Sequence, residues 1–202
     1  MYKIKSMPQQ FPLFQTPLDA AHAYWRQLLK PGNLVIDATC GNGHDTLVLT
    51  AICATSGGKV IAIDTQEAAI KNTRERINGN IPEPLQKNVD YYRQCHSTFP
   101  AHIAANSAAL IVYNLGYLPG GNKELTTLRS TTLQSLEAAL PLISPGGAIS
   151  IMCYPGHSEG KIEEEAVGNF AASLNPKEWS CCHHRWVNRT ASPSLLLILK
   201  SW

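Results

Sequence analysis

No stretch of this 202-residue chain approaches the eighteen or more consecutive apolar residues of a membrane-spanning helix. Its opening, Met1-Tyr2-Lys3-Ile4-Lys5, also lacks the apolar core of a secretory signal, so a soluble protein of the cytosol or of an organelle is expected, without a membrane partner. Six cysteines at 40, 53, 95, 153, 181 and 182 include no C-x-x-C pair, which excludes a spelled-out zinc ribbon or thioredoxin site. In a reducing compartment they are expected to be free thiols. Cys181-Cys182-His183-His184 has metal-ligand residue types, but consecutive strand residues point alternately to opposite faces and cannot surround one ion, so no metal site is expected. Neither sign of charge dominates: 17 basic residues against 15 acidic give a formal charge of +2. A strongly polyanion-binding domain is usually more basic, which leaves local patches such as Lys71, Arg74 and Arg76, or Arg185 and Arg189. Internal repeats, low-complexity tracts and linkers are absent too. One domain over 1–202 is expected, with Pro- and Gln-rich residues 1–15 as an N-terminal arm.

What is present is a strand–helix alternation. Thr16 and Pro17 supply an N-cap and first-turn pair for a helix over Leu18–Lys30, which Gly32 ends. Strands are expected at 33–37, 59–64, 88–93, 108–114 and 147–153, and helices at 44–54, 66–78, 125–139 and 158–173. Such alternation argues for a parallel sheet covered on both faces, an α/β fold. The chain then changes character, since Trp179–Val187 and Ser194–Lys200 are strand-like runs with no helix between them. They predict a terminal antiparallel hairpin.

Chemistry concentrates at the strand tips. Asp37 to Thr46 reads D-A-T-C-G-N-G-H-D-T directly after the apolar run Asn33-Leu34-Val35-Ile36, so an acid closes a strand and a Gly-x-Gly turn opens a helix. Glycine lets a backbone approach a ligand closely, and the helix start behind it offers free N–H groups. Asp64, twenty-three positions after Gly41, ends the next apolar run, where an acid can grip a ribose diol or cap the following helix. The third glycine of a dinucleotide fingerprint would fall at Thr46, which disfavours a nicotinamide or flavin cofactor. The acid-first pattern resembles motif I of the class I S-adenosylmethionine-dependent methyltransferases. Their fold is a Rossmann-like, mostly parallel seven-stranded sheet with a C-terminal antiparallel hairpin, which agrees with the expected ending of this chain.

Further along, Asn114-Leu115-Gly116-Tyr117-Leu118-Pro119-Gly120-Gly121 follows the apolar run 108–113. It occupies the place of the methyltransferase catalytic motif and resembles the Asn/Asp-Pro-Pro-Tyr/Phe of amine-methylating members, with both prolines replaced. An attacking amine needs acceptors that hold its hydrogens and aim its lone pair, which an Asn side-chain oxygen can do, and an aromatic beside it can stack on a base. Together with Thr126-Thr127, Thr131-Thr132 and Y-P-G-H-S-E-G from Tyr154 to Gly160, these motifs resemble a small bacterial and plastid family once labelled rRNA methylases. That family includes the tRNA methyltransferase MnmM, formerly YtqB. The resemblance runs from about Thr16 to the C-terminus, with departures at Cys40, His44 and Tyr154-Pro155. It implies methylation of the aminomethyl group on the wobble uridine of tRNA, from 5-aminomethyl-2-thiouridine to 5-methylaminomethyl-2-thiouridine, with S-adenosylmethionine as donor and S-adenosylhomocysteine as product. It further implies contact with the anticodon arm, a homodimer, and a place in the cytoplasm or a plastid-like stroma. The expected cofactor-binding residues are Asp37, Thr39, Gly41, Asn42, Gly43, Asp45, Thr46, Asp64, Cys95, His96 and Asn114, and the expected catalytic residues are Asn114, Tyr117 and His157. His96, His157 or a water are open candidates for the proton that the amine must lose. A methyltransferase for rRNA or for a small amine metabolite, and a non-catalytic RNA-binding module on the same fold, remain the alternatives.

Overall fold

The computed structural model describes residues 16–118, 120–121, 125–189 and 191–202. The expected arm over 1–15 lies outside them. Seven strands form one sheet: β1 (Leu34–Asp37), β2 (Lys59–Asp64), β3 (Val89–Arg93), β4 (Ala108–Asn114), β5 (Ile143–Cys153), β6 (Trp179–His184) and β7 (Ser194–Lys200). Their order is β3-β2-β1-β4-β5-β7-β6; the first five strands are parallel, and β7 runs antiparallel to both β5 and β6. This is the expected sheet with its terminal hairpin. The chain order reverses between β1 and β4, and a crevice at the carboxyl ends of strands flanking such a switch is where α/β sheets bind ligands.

Period-two alternation distributes the core. Val35, Leu110 and Val112 face one side, where α1 (Pro17–Leu28), α2 (His44–Cys53) and α3 (Glu67–Asn80) cover them with Trp25, Leu49 and Ile77. Ile36, Ile111 and Tyr113 face the other, under Leu136 of α5 (Arg129–Ala139) and Val167 of α6 (Ser158–Ser173). Strands buried on both faces must be apolar throughout, which is why they read as unbroken hydrophobic runs. The start of α1 is a reciprocal capping box: the Asp19 backbone N–H donates to Thr16 Oγ1 at 3.1 Å, and the Thr16 N–H donates to Asp19 Oδ2 at 3.0 Å.

Several element boundaries differ from expectation. A short α4 (Glu83–Gln86) precedes β3, and β5 begins at Ile143. The hairpin strand β6 ends at His184, short of Val187. Finally, α5 begins at Arg129 because 125–128 is held extended: Thr126 makes a β-bridge with Tyr117, and the Thr127 N–H donates to the Gly116 carbonyl at 3.0 Å.

Candidate active site

A cavity of about 900 Å³ opens at the carboxyl edge of the sheet, between the turn after β1, the tips of β2 and β4, and the loops after β3, β4 and β5. Its first wall is the Gly-x-Gly turn. Gly41 carries φ +51° and donates its N–H to Asp64 Oδ2 at 3.0 Å, while the Gln66 N–H donates to Asp64 Oδ1 at 2.9 Å. Burial raises the Asp64 carboxyl above the ordinary carboxylate range, and backbone N–H groups of Gln66, Gly41 and Thr65 oppose that rise. Three N–H donors on two carboxylate oxygens leave acceptor capacity for a hydroxyl from the cavity. The N-cap of α3 is Gln66, so Asp64 is not that helix's cap. The turn is fixed from behind by α3: Thr73 Oγ1 donates to the Gly41 carbonyl at 3.0 Å, Arg76 Nε to the Asn42 carbonyl at 2.6 Å, and Asn72 Nδ2 to Asn42 Oδ1 at 2.9 Å.

Asp37, Gly43 and Thr46 stand behind this wall and do not line the cavity. Asp37 is 1% exposed and accepts from Thr46 Oγ1 at 2.6 Å and the Thr39 N–H at 3.3 Å, so it ties the turn to α2. Burial pushes its carboxyl up to about 7, the nearby Asp45 charge adding to the rise against the bonds from Thr46 and Thr39. Gly43 is a packing residue: at φ +77°, a Cβ on it would lie 2.7 Å from Thr73 Cα.

The opposite wall is built at the tip of β4. The Asn114 N–H donates to Thr39 Oγ1 at 2.6 Å, and its Nδ2 donates to Asp45 Oδ2 at 2.9 Å. Because a carboxylate only accepts, the amide nitrogen of Asn114 must face Asp45 and Oδ1 the other way. Asp45 Oδ1 in turn accepts from His22 Nε2 of α1 at 2.7 Å. The Tyr154 side chain hydrogen-bonds that of Asn114; burial and the Asp45 charge push its phenol up to about 12 against that bond. Sequence reasoning named Asp45 as a cofactor contact and missed His22 and Tyr154.

The paired threonines position the Asn114–Gly121 loop. Thr127 Oγ1 accepts from the Gly116 N–H at 2.8 Å and donates to Glu163 Oε2 at 2.7 Å, and Thr132 Oγ1 donates to Glu163 Oε1 at 2.5 Å. Pro119 lies outside the described residues. Tyr117 stands 38% exposed at the cavity mouth, its ring centroid 6.0 Å from that of His157.

The two expected histidines are held in different ways. His157 caps α6, with Nδ1 accepting from the Gly160 N–H at 3.1 Å, so the proton of the neutral ring sits on Nε2, which is buried. Protonating Nδ1 would break the cap. His96 is 6% exposed, edge-on to Tyr113, and burial pushes it down to about 4. Cys95 lines the cavity beside it. On β6, the histidines diverge as alternation requires: His184 meets the Tyr24 hydroxyl at 3.3 Å, and His183 meets Ser194 Oγ at 2.9 Å. Among the described residues, no group of three or more His, Cys, Asp or Glu could hold a metal ion.

Comparison with known proteins agrees with this geometry. Residues 60–200 match the family model described as "Putative rRNA methylase". The chain belongs to the rRNA methylase family. A curated relative, the chloroplastic tRNA (mnm5s2U34)-methyltransferase of Arabidopsis thaliana, is 38% identical over 187 residues, covering 90% of this chain and 68% of the relative. A solved rRNA methylase from Clostridium thermocellum is 31% identical with a TM-score of 0.86, covering 92% of this chain and 98% of that one. The Streptococcus mutans methyltransferase SMU.1697c, solved in complex with S-adenosylhomocysteine, is 30% identical with a TM-score of 0.80 over the same shares. Like its family, the chain is a methyltransferase that uses S-adenosylmethionine. The cavity fits that cofactor: its volume is of ligand size, Gly41 presents bare backbone, and Asp64 is held at the wall with lone pairs to spare.

Proposed function

We propose that the protein methylates the aminomethyl nitrogen on the wobble uridine of tRNA, converting 5-aminomethyl-2-thiouridine to 5-methylaminomethyl-2-thiouridine. The observation that carries this reading is the orientation of Asn114: with Nδ2 spent on Asp45, its Oδ1 is an acceptor at the cavity wall for an amine N–H. The name of the Arabidopsis relative, similar over 90% of this chain, supports the same substrate.

The bound cofactor supplies an electrophilic methyl group on a sulfonium. Asp64 would hold the ribose hydroxyls, the Gly41 turn would let the cofactor lie against backbone, and Thr39, Asn42 and Cys95 would complete the wall around it. An alkylamine with a pKa near that of lysine, about 10.4, is mostly protonated in neutral water, and the partly apolar cavity favours its neutral form. A proton passed from such an ammonium to His96, held near 4, would climb about six pKa units, or roughly 8 kcal/mol. Loss of that proton to solvent buffered near pH 7 before attack climbs only about three and a half units, or roughly 5 kcal/mol, so equilibration with solvent is the easier route. Asn114 Oδ1 then holds one remaining N–H and turns the lone pair towards the methyl group, so positioning supplies most of the rate.

At the mouth, Tyr117, Leu125 and Leu128 are exposed apolar side chains on which a base extruded from the anticodon loop can stack. Arg185 and Arg189 lie on the loop after β6, whose Ala191 and Pro193 form part of the cavity wall, and provide charge for phosphates. The test is transfer of label from S-adenosylmethionine to tRNA carrying 5-aminomethyl-2-thiouridine, with nucleosides read by mass spectrometry. Label in 5-methylaminomethyl-2-thiouridine, and none in tRNA with plain wobble uridine, is expected. Label only in rRNA or in small amines overturns the assignment.

A further inference from the structure

We infer that Asp45 and His22 are positioning residues, which lock the Asn114 amide in the orientation that presents its oxygen to the methyl-accepting nitrogen. The inference rests on the amine-directed reading of Asn114 given above.

An asparagine amide is nearly symmetric in shape, and a half-turn of its terminal torsion exchanges an acceptor for a donor. The exchange matters at this site. An oxygen facing the amine takes an N–H and leaves the lone pair free, whereas an NH₂ facing the amine donates to that lone pair and blocks attack. The bond from the Asn114 N–H to Thr39 Oγ1 at 2.6 Å holds the backbone and Tyr154 bonds the side chain, so the sense of the amide torsion decides which of its atoms faces Asp45. Asp45 fixes that sense. Its Oδ2, 2.9 Å from Asn114 Nδ2, would meet Oδ1 in the turned amide, two acceptors without a proton between them. Asp45 is only 7% exposed, so water cannot readily relieve that repulsion.

The carboxylate is itself held from the far side. His22 Nε2 lies 2.7 Å from Asp45 Oδ1, and the His22 ring packs against Trp25 with centroids 4.7 Å apart. Trp25 is 3% exposed beneath α1, whose start the Thr16–Asp19 capping box fixes. One oxygen of Asp45 is bonded to His22 and the other to Asn114, so the carboxylate is held from both sides where it stands at the cavity wall. The first helix, which lies outside residues 60–200, thereby reaches the Asn114 amide through two hydrogen bonds.

Asp45→Asn tests this without changing shape, because Asn at 45 can face Asn114 with either its oxygen or its nitrogen and so permits both amide orientations. Expected are S-adenosylhomocysteine affinity by calorimetry within about twofold of wild type, KM for tRNA within about twofold, and kcat lowered about ten- to a hundredfold. His22→Phe, which keeps the packing on Trp25 but loses the bond, is expected to lower kcat about three- to tenfold, with His22→Gln milder. The double variant Asp45→Asn with Asn114→Asp swaps acid and amide and again leaves an oxygen facing the cavity; its kcat is expected to exceed that of either single variant by about fivefold or more. A residue that merely supports the fold would show no such rescue. In the nitrogen-15 spectrum, the Asn114 side-chain amide is expected to shift or broaden in Asp45→Asn relative to wild type, a readout that holds whatever the methyl acceptor is. Equal loss of cofactor affinity and kcat in Asp45→Asn would make Asp45 a cofactor ligand and overturn the inference, as would an unchanged kcat, a double variant no better than its parents, or an unperturbed Asn114 amide. Failure of the wild type to methylate tRNA would instead count against the substrate assignment, and the amide spectrum would still decide the lock.

Discussion

The two glycines of the turn after β1 should fail in different ways when each is replaced by alanine. At Gly43, φ is +77°, and the added Cβ would stand 2.7 Å from Thr73 Cα, a backbone atom of the packed helix α3. Left-handed backbone costs an L-residue about 1–2 kcal/mol, and overpacking against an unyielding neighbour about 1–3 kcal/mol. Together these give about 2–5 kcal/mol, a large share of the 5–15 kcal/mol typical of a folded domain. For a chain of this size, that is a fall in Tm of roughly 4–20 °C. Gly41 has φ +51°, but its Cβ would meet Leu118 Cδ1 at 3.5 Å and the Thr39 carbonyl oxygen at 3.8 Å, ordinary contacts, so alanine there costs only the backbone term of about 1–2 kcal/mol. Gly41 lines the cavity and Gly43 does not. Ligand-free thermal melts and calorimetry with S-adenosylhomocysteine should therefore separate them. Gly43→Ala should melt much lower, and Gly41→Ala should melt within a few degrees of wild type yet bind the ligand at least about tenfold more weakly. A Gly43→Ala melt within 2 °C of wild type, or full affinity in Gly41→Ala, would refute the division between packing and binding glycines.

Asn114→Ala should keep S-adenosylhomocysteine affinity near wild type while slowing transfer at least about a hundredfold, since it deletes the acceptor that aims the amine; equal loss of binding in calorimetry would move Asn114 to the cofactor site. Asp64→Ala should weaken cofactor binding by about 1.5–3 kcal/mol, the usual loss for a hydrogen bond to a charged group, and unchanged affinity would leave Asp64 as an anchor for the Gly41 and Gln66 N–H groups alone. His96 gives a pH signature: its folded pKa of about 4 lies below the ordinary 6.5, so the unfolded chain binds more protons between those values and stability falls as pH drops through that window. Urea titrations should show the wild type's stability relative to His96→Gln declining by about 3 kcal/mol between pH 7 and pH 4, and a pH-independent difference would show His96 not to be held neutral by burial.

How far each part of the site was legible depended on how far its cause lay along the chain. The parallel strands were readable because burial on both faces imposes apolar residues at every position, a local demand. The placing of Gly41, Asp64 and Asn114 at strand tips followed from that pattern, since a tip is simply where the apolar run stops. The packing demand on Gly43 was not legible, because it comes from Thr73, thirty residues later on another helix. The start of α5 was misplaced because Thr126 pairs with Tyr117 and Thr127 with Gly116, contacts that override the helical propensity of 125–128.

His22 shows the limit most clearly. On α1 it is one polar residue beside Ala21 and Ala23, and no local spacing distinguishes it from a surface histidine. Its role exists only because α1 packs near α2, bringing it to Asp45 across twenty-three residues, and Asp45 to Asn114 across sixty-nine. Each of the three residues is an ordinary choice for its own element. What makes them a unit is that each has few ways to satisfy its polar groups once water is excluded: the carboxylate must find donors, the amide must turn its nitrogen to the carboxylate, and the oxygen left over has the cavity as its open side. The arrangement of His22, Asp45 and Asn114 is thus set by hydrogen-bond satisfaction among buried and half-buried groups, a constraint that acts in space and leaves little trace in the order of residues along the chain.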